Sequence, residues 1–255
     1  MSVNRFFVSP SSFEGEVVRL NPEQAHQVCH VLRLKPGDEI VVLDDSGTEY
    51  DVTLTTACLP ETVGRVTGER PARGEPAAHI SLFQSLLARE KFEWVLQKAT
   101  EVGVTSFVPV LTERSIVRAK LIEERKLDRW RRILVEAAEQ SQRGQIPKLD
   151  QAVAFDEALP RLSDYDCAIV AAPSEEATSI RQALEGLPAK AGSVALLIGP
   201  EGGLTEEEVS RARQCGAVQV CLGPRILRTE TAAVVASALV LHELGEMECE
   251  TGPQV

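Results

Sequence analysis

The chain has 255 residues, 44% of them hydrophobic and 25% charged, a composition typical of one large globular domain or two small ones. Aromatic residues make up 4% and the formal net charge is −11, which excludes an extensive base-stacking platform and a uniformly basic nucleic-acid-binding surface. We find no signal-peptide pattern and no apolar run that could span a membrane, and we expect a cytoplasmic protein.

The first seventy residues contain short β-forming runs separated by proline and glycine turns. One helix-like stretch, residues 22–32, interrupts them. Several strands at close spacing indicate a small β-barrel. Residues 69–76 contain two prolines and one glycine without apolar periodicity, which predicts a linker. The predicted strands are residues 4–8, 16–20, 39–43, 50–55 and 62–67.

Beyond the linker, strand and helix patterns alternate, which is typical of a parallel sheet covered on both faces. We therefore predict an α/β class with a β-barrel domain at residues 1–72 and an α/β domain at residues 77–247. Thr205 is a predicted helix N-cap, because three glutamates follow it. The predicted strands are residues 79–87, 105–111, 166–172, 193–198 and 218–222, and the predicted helices are residues 92–102, 121–143, 179–187, a helix after Thr205, and 230–244.

Charge is unevenly distributed along the chain. Residues 1–72 carry 6 basic and 11 acidic side chains and residues 151–255 carry 7 and 16, whereas residues 114–148 carry 10 basic and 5 acidic ones. Phosphate contacts respond to local potential, so this basic segment is a candidate RNA surface despite the acidic total. An ordinary solvated helix face is the alternative.

The histidines and cysteines do not form a metal-binding pattern. Six cysteines are scattered without a CxxC pair, which favours free thiols over disulfides or zinc ligands. His26 and His30 lie one helical turn apart, but no third ligand is near them in sequence, so packing or RNA contact is the favoured role. We predict no metal.

Two glycine-bearing loops follow buried strands, at residues 199–203 and 221–233. Ligands in open α/β sheets bind beyond the carboxyl ends of strands, where both loops fall. Neither matches a dinucleotide or P-loop fingerprint, and a plain strand-to-helix turn is the alternative for either one alone. The second loop carries two arginines and a glutamate in an apolar stretch, and burying Arg228 near Glu230 would be costly without a partner or ligand.

Six motifs, in the same order along the chain, resemble those of the RsmE family of ribosomal RNA uridine-N3 methyltransferases, which belongs to the SPOUT superfamily. One departure from the family pattern is at residues 87–90, where the family has a Pro-Lys-Gly-Asp type stretch and this chain lacks the lysine. Arg89 and Lys91 supply charge nearby. The motifs are residues 5–8, 30–38, 97–103, 136–147, 199–203 and 222–232.

The resemblance implies a PUA-like barrel that helps to hold RNA and a SPOUT methyltransferase domain with a trefoil knot and a mostly parallel sheet. It also implies S-adenosylmethionine as cofactor and a homodimer with the active site at its interface, for which the apolar helix after Glu230 is a candidate. The cofactor-binding residues implied by the family are Leu197, Ile198, Gly199, Pro200, Glu201, Gly202, Leu222, Gly223, Ile226, Leu227, Thr231 and Ala232.

Methylation at uridine N3 needs in-line geometry, a proton acceptor and a cation near the base carbonyls. We expect Arg228 to be that cation and Glu201 or Glu230 to be the acceptor. Alternatively, Arg228 pins its own loop and Glu201 accepts backbone hydrogen bonds. The candidate RNA contacts, for each of which ordinary surface charge is the alternative, are Arg5, Arg33, Lys91, Arg114, Arg118 and Arg143.

The function implied is methylation of one uridine of 16S ribosomal RNA, in an assembled small subunit. A SPOUT methyltransferase acting on a ribose 2′-hydroxyl or another base is the enzymatic alternative. A non-catalytic RNA-binding or ribosome-assembly factor that has kept only the fold is the alternative of a different class.

Overall fold

The computed structural model describes residues 3–115, 124–187 and 192–248, and the chain divides into two compact units. The first unit runs to Glu75 and also includes Val135–Ile146. The second unit takes Pro76–Leu134 and the chain from Pro147 onward. A segment from the middle of the chain thus folds with the N-terminal unit.

The first unit is built on a six-stranded sheet. A short helix, α1 (Pro22–His26), continues into a π-helical turn (Gln27–Val31). Its strands are β1 (Arg5–Phe7), β2 (Phe13–Glu14), β3 (Val17–Leu20), β4 (Glu39–Leu43), β5 (Thr48–Ala57) and β6 (Thr62–Pro71). The sheet order is β1-β4-β5-β6-β3-β2, with β1 parallel to β4 and the other pairs antiparallel. Alternate strand residues, such as Ile40, Val42, Val52 and Leu54, are buried in its core.

The predicted strands and helix of this unit are all present, and the predicted linker is partly wrong. Strand β6 continues through Glu69 to Pro71. It does so because β5 is ten residues long, and pairing with Thr48 and Tyr50 extends the ladder. Proline is tolerated at this position because it lies at the end of the strand.

A buried ion pair fastens the returning segment to the first unit. The Arg143 side chain is 2% exposed and donates from Nε and Nη2 to Glu75, at 3.1 and 2.9 Å. Glu75 Oε1 also accepts the backbone N–H groups of Gly144 and Gln145, both at 3.0 Å. This burial contradicts the prediction that Arg143 contacts RNA, because an enclosed guanidinium has no free face for a phosphate.

Glu139 provides a second link within this unit. Its Oε1 accepts the backbone N–H of Phe7, in β1, at 2.9 Å. Burial raises the pKa of the Glu139 carboxyl to about 7, while the Phe7 N–H opposes the shift and the neighbouring Glu136 adds to it. The carboxyl therefore holds its proton to a much higher pH in the folded chain than in the unfolded one.

The second unit is an α/β layer structure whose strands pair in parallel. Its strands are β7 (His79–Ser85), β8 (Ser106–Leu111), β9 (Lys148–Leu149), β10 (Val153–Ala154), β11 (Cys167–Ala171), β12 (Ser193–Ile198) and β13 (Val218–Val220). The order is β10-β8-β7-β12-β11-β13, with β9 also paired to β8. Its helices are α2 (Arg89–Val102), α3 (Glu124–Gln140, of which the part from Val135 belongs to the first unit), α4 (Phe155–Ala158), α5 (Ile180–Ala183), α6 (Glu206–Gln214) and α7 (Thr229–Glu243).

The two central strands explain why the sheet is parallel. In β7 and β12, every residue after the first is buried, so both faces of each strand are covered. They pair in register, with Gln84 beside Ile198. Their carboxyl ends therefore meet at one edge of the sheet, where residue 199 begins the first glycine loop. The α/β class with a parallel sheet is confirmed, and the knot stays a prediction.

Two predicted helices in the second half of the chain are shorter than expected. The helix predicted to reach residue 143 ends at Gln140, since Gln142 has φ 63° and the Arg143 N–H folds back to the Ala138 carbonyl. The helix predicted for residues 179–187 is a single turn, α5. Arg118 and the predicted helix start at residue 121 lie outside the described residues.

No helix in the described ranges combines the length and the apolar character needed to cross a bilayer.

We predict that Arg143→Ala lowers the free energy of unfolding by about 3–5 kcal/mol, because it leaves the Glu75 carboxylate buried without its cation. Urea denaturation measures the change. The matched control is Arg213→Ala, whose guanidinium is 51% exposed and pairs with an exposed glutamate, and which should cost no more than about 1 kcal/mol. Equal losses of unfolding free energy in the two variants would show that the buried pair stabilises the fold no more than an exposed pair does.

The raised pKa of Glu139 leads us to predict that the free energy of unfolding falls as the pH rises. The unfolded chain loses this proton near 4.5 and the folded chain near 7, so the stability that Glu139 contributes below this interval is lost as the pH rises through it. Glu139→Gln should remove that slope, whereas Glu136→Gln, an exposed neighbour, should keep it. Denaturation curves from pH 4 to 8 measure the effect, and identical slopes in Glu139→Gln and the unmodified protein would refute the raised pKa.

Candidate functional site

The first glycine loop folds back tightly at the carboxyl edge of the sheet. A Cβ on Gly199 would lie 2.9 Å from the backbone nitrogen of Leu204 and 3.0 Å from its Cγ, so only glycine fits there. Gly203 has φ 70° and donates its N–H to the Pro200 carbonyl at 2.9 Å. The loop is thus a compact turn in which Gly199 and Pro200 are buried and Gly202 and Gly203 are exposed.

Arg114 supports this loop from β8's side of the sheet. Its Nη1 donates to the Gly202 carbonyl at 2.9 Å. A Cβ on Gly202 would meet the Arg114 side chain at 3.3 Å, so the arginine lies directly against the glycine. Arg114 remains exposed, and the structure adds a loop-holding role to its predicted RNA contact.

Glu201 is held between the loop and the start of α2. Its Oε1 accepts from Lys91 Nζ at 3.2 Å and lies 3.5 Å from the backbone nitrogen of Ala88. Partial burial raises the pKa of this carboxyl, but hydrogen bonds from its own backbone N–H, from Lys91 and from Ala88 outweigh burial and lower it. Glu201 is therefore ionised, and the residues 87–90 stretch that departs from the family pattern carries one of its donors.

A buried hydrogen-bond network links β7, the first loop and α7. The Thr229 hydroxyl donates to the Gly199 carbonyl. Gln84, 1% exposed, points its Nε2 at the carbonyls of Ser85 and Gly199, at 3.0 and 3.5 Å, and at Thr229 Oγ1, at 3.4 Å. Thr229 is the first residue of α7 and follows Arg228. This network therefore sets where Arg228 and Glu230 stand relative to the first loop.

The second loop is more open than the sequence indicates. Gly223 has φ 93°, and the Ile226 side chain is fully exposed. Arg228 is exposed and is the N-cap residue of α7, with no side-chain capping bond. The expected burial of Arg228 is wrong: the guanidinium reaches solvent at the mouth of a cleft.

That cleft lies between α2 and the beginning of α7, which pack against each other. Its volume is about 330 Å³. Arg228 and Glu230, two of the predicted catalytic residues, line it together with Lys91. The other lining residues are Glu90, Trp94 and Thr231.

Buried polar atoms without a hydrogen-bond partner concentrate at the same edge. Six such side-chain atoms occur among the described residues, and four of them belong to residues of this region. Buried polar groups in proteins are almost always satisfied, so these atoms are available to hydrogen-bond a bound molecule or water. The four atoms are Gln84 Oε1, Ser85 Oγ, Glu201 Oε2 and Glu230 Oε2.

The remaining predicted RNA contacts are divided between paired and exposed side chains. Arg5 is paired with Glu49, and their side chains are 10% and 7% exposed, which contradicts an open phosphate contact for Arg5. Arg33 is exposed and has φ 56°, so it lies at a tight bend of the first unit. Lys91 is half-buried and forms a salt bridge with Glu201.

Histidines and acidic residues do not assemble into a metal site in the described parts of the chain, where no three potential ligands cluster. The rings of His26 and His30 lie 4.9 Å apart.

Sequence reasoning missed five residues of this site: Gln84, Ser85, Glu90, Trp94 and Thr229. Gln84 and Ser85 are polar residues at the carboxyl end of a buried strand, and this position was the available signal. Thr229 carried no signal, because its role depends on the Gly199 carbonyl thirty residues earlier in the chain.

Comparison with known families identifies the chain. The RNA methyltransferase domain family matches residues 74–241, and the RNA methyltransferase PUA domain family matches residues 20–57. The chain belongs to the RNA methyltransferase family. This assignment confirms the family predicted from the motifs and a PUA domain in the N-terminal unit.

Curated relatives cover nearly the whole chain. Ribosomal RNA small subunit methyltransferase E of Bacillus subtilis is 32% identical over 235 residues, 90% of this chain and 91% of the relative. The protein of the same name from Synechocystis is 34% identical, over 92% of this chain and 76% of the relative.

Solved structures of similar proteins include cofactor complexes. Ribosomal RNA small subunit methyltransferase E from Neisseria gonorrhoeae bound to S-adenosyl methionine is 31% identical, with a TM-score of 0.84 over 94% of this chain and 98% of that one. A putative methyltransferase from Legionella pneumophila in complex with the same cofactor is 29% identical, with a TM-score of 0.84 over 95% and 98%.

We predict that Thr229→Val lowers the free energy of unfolding by about 1–3 kcal/mol, because it removes the hydroxyl from the buried Gly199 carbonyl and from Gln84 without changing side-chain shape much. Thr67→Val is the matched control. Its hydroxyl also donates to a backbone carbonyl, that of Asp51, but it is exposed and should cost less than about 0.5 kcal/mol. Indistinguishable denaturation midpoints for the two variants would show that the buried Thr229 hydrogen bonds do not stabilise the fold.

Proposed function

We propose that this protein uses S-adenosylmethionine to methylate N3 of one uridine in 16S ribosomal RNA of the small ribosomal subunit. The observation that carries the proposal is the set of unsatisfied buried polar atoms on Gln84, Ser85, Glu201 and Glu230, which belong to the end of β7, the first glycine loop and the start of α7. A relative of 31% identity and nearly equal length is known bound to this cofactor.

The residues present fit such a cofactor. Only glycine is accommodated at Gly199, where the first loop folds tightly, and the exposed Gly202 and Gly203 carry no side chain that would keep a flat adenine ring from the backbone. Unsatisfied carboxylate oxygens on Glu201 and Glu230 suit a ligand that carries positive charge. When bound, the cofactor supplies an electrophilic methyl group. We assign its binding to Leu197, Ile198, Gly199, Pro200, Glu201, Gly202, Leu222, Gly223, Ile226, Leu227, Thr231 and Ala232.

The chemistry at uridine N3 requires loss of a proton and stabilisation of the resulting anion. Arg228 is exposed at the cleft and not engaged in capping α7, so its guanidinium is available to the base carbonyl oxygens. The first turn of α7 adds unpaired backbone N–H groups and a favourable helix dipole at the same end. Methyl transfer then depends mainly on orientation, which this rigid arrangement supplies.

Either Glu201 or Glu230 accepts the N3 proton in this proposal, and the surroundings of the two carboxylates differ. Glu201 is ionised because Lys91 and backbone N–H groups lower its pKa, and this makes it a weak base. Glu230 lines the cleft beside Arg228. We therefore assign the proton-acceptor role to Glu230, which lines the cleft, and cofactor binding to Glu201.

The two parts of the chain have separate roles in this proposal. Residues 1–72 form the PUA-like RNA-binding domain, with Arg33 as an exposed cation, and residues 77–247, apart from the segment 135–146 that folds with the first unit, form the knotted methyltransferase domain. Lys91, Arg114 and Arg118 are the RNA contacts assigned to that second domain. The target is the assembled small subunit, and the protein acts in the cytoplasm.

A homodimer is part of the same proposal, with α7 at its interface. This helix is mostly apolar, and Leu239 on its outer side is 39% exposed. An unpartnered apolar helix face of this kind is what a subunit contact would cover.

Nucleoside mass spectrometry of 16S ribosomal RNA from a strain lacking this gene tests the function. We expect loss of 3-methyluridine and its restoration by the intact gene. Persistence of 3-methyluridine with loss of a 2′-O-methyl or another methylated nucleoside would favour a different SPOUT specificity. Unchanged nucleosides, together with no calorimetric binding of S-adenosylmethionine, would favour a non-catalytic assembly factor.

We predict that Arg228→Ala lowers kcat at least about 100-fold with small subunits as substrate, the typical loss for one charge-stabilising donor, and leaves S-adenosylmethionine affinity unchanged. Arg181→Ala is the control, because Arg181 is 75% exposed and pairs with Glu243 on the far part of α7. Labelled-methyl transfer gives kcat and calorimetry gives affinity. Full activity of Arg228→Ala would remove Arg228 from catalysis.

A further inference from the structure

One wall of the cleft is a tryptophan. Lys91 and Trp94 are three residues apart on α2 and lie on one face of that helix, which forms this side of the cleft. Trp94 is 41% exposed, whereas the other tryptophan of the chain, Trp130, is fully buried against Phe92. Five of the six lining residues are charged or polar, and Trp94 is the apolar one.

This combination fits a nucleobase better than it fits a protein surface. A nucleobase presents an apolar face and a hydrogen-bonding edge, and an indole ring beside an arginine and a glutamate matches both. The buried centre of a protein–protein interface, by contrast, is depleted in charged residues. Enzymes that modify a base take it out of its stack and hold it against aromatic or apolar side chains.

We propose that Trp94 stacks on the target uracil and holds its edge toward Arg228 and Glu230. This inference rests on the proposed function and adds a substrate-binding residue to it. In this proposal the base stacks on one aromatic ring. Other RNA-binding proteins use several aromatic rings for this purpose, and a chain with 4% aromatic residues has few to offer.

Two substitutions separate stacking from simple apolar contact. Trp94→Phe keeps a ring and should retain most of the activity on purified small subunits from the deletion strain. Trp94→Leu keeps apolar volume without an aromatic face and should lower kcat/KM for the subunits by about tenfold or more. The dissociation constant for S-adenosylmethionine should be unchanged in both variants, and circular dichroism checks that both are folded.

The outcomes distinguish this inference from the function on which it rests. No methyl transfer by the unmodified protein would overturn the proposed function itself. An active unmodified protein with an equally active Trp94→Leu variant would overturn stacking alone. A Trp94→Leu variant that loses cofactor affinity in proportion to activity would also overturn stacking, because a base contact should leave cofactor binding intact.

Fluorescence tests the competing possibility that a second copy of the chain covers Trp94. Trp94→Phe leaves only buried Trp130, so the difference between its emission and that of the unmodified protein reports Trp94. Efficient acrylamide quenching of this difference signal at all protein concentrations supports a Trp94 ring that is accessible to solvent and therefore to a base. Protection from acrylamide, combined with a change of oligomeric state in Trp94→Leu by light scattering, would assign the ring to a subunit contact and overturn the proposal.

Discussion

The candidate site depends on one constraint: β7 and β12 are adjacent, parallel and in register, so their carboxyl ends share an edge of the sheet. This pairing places Gln84 within reach of the Gly199 carbonyl and of Thr229. Three segments distant in sequence are thereby joined through buried hydrogen bonds, which are strong in a low-dielectric interior and expensive to leave unmade. The position of α7, and of Arg228 at its start, follows from that network.

The same edge is not fully satisfied by the protein itself. Gln84 uses its amide nitrogen on the network, while its oxygen has no partner, and Glu201 uses one carboxylate oxygen on Lys91 and leaves the other unpaired. A fold that satisfied every group would gain stability and lose its binding capacity. In the proposed function, these unsatisfied atoms are the groups that a bound ligand would pair with, and local stability is given up for recognition, as is common at functional sites.

Much of the fold was predictable from the sequence, because strand patterns, glycine turns and the Thr205 cap are local signals. Thr205 does accept the Glu208 N–H in a capping box. Element ends were less predictable: the extension of β6 to Pro71 depends on its partner β5, and the end of α3 depends on the positive φ of Gln142. Partner strands and backbone bends are decided by tertiary context rather than by local propensity.

The candidate site was predictable where glycine and charge patterns identify loops, and much less so for individual cations. Arg5 and Arg143 carry the same charge as Arg33 and Arg228, and composition cannot separate them. Glu49 and Glu75, far away in sequence, enclose the first two in ion pairs. The sequence therefore located two glycine loops next to the candidate site but could not tell structural arginines from exposed ones.

The division of arginines also bears on how an acidic chain recognises RNA. A net charge of −11 repels phosphate at long range, so affinity must come from a few exposed cations and from shape. Pairing Arg5 and Arg143 internally reduces non-specific attraction to any nucleic acid, while Arg33 and Arg228 remain available. In the proposed function, specificity then rests on contacts that only a correctly presented base makes, and we place these contacts in the charged cleft between α2 and α7.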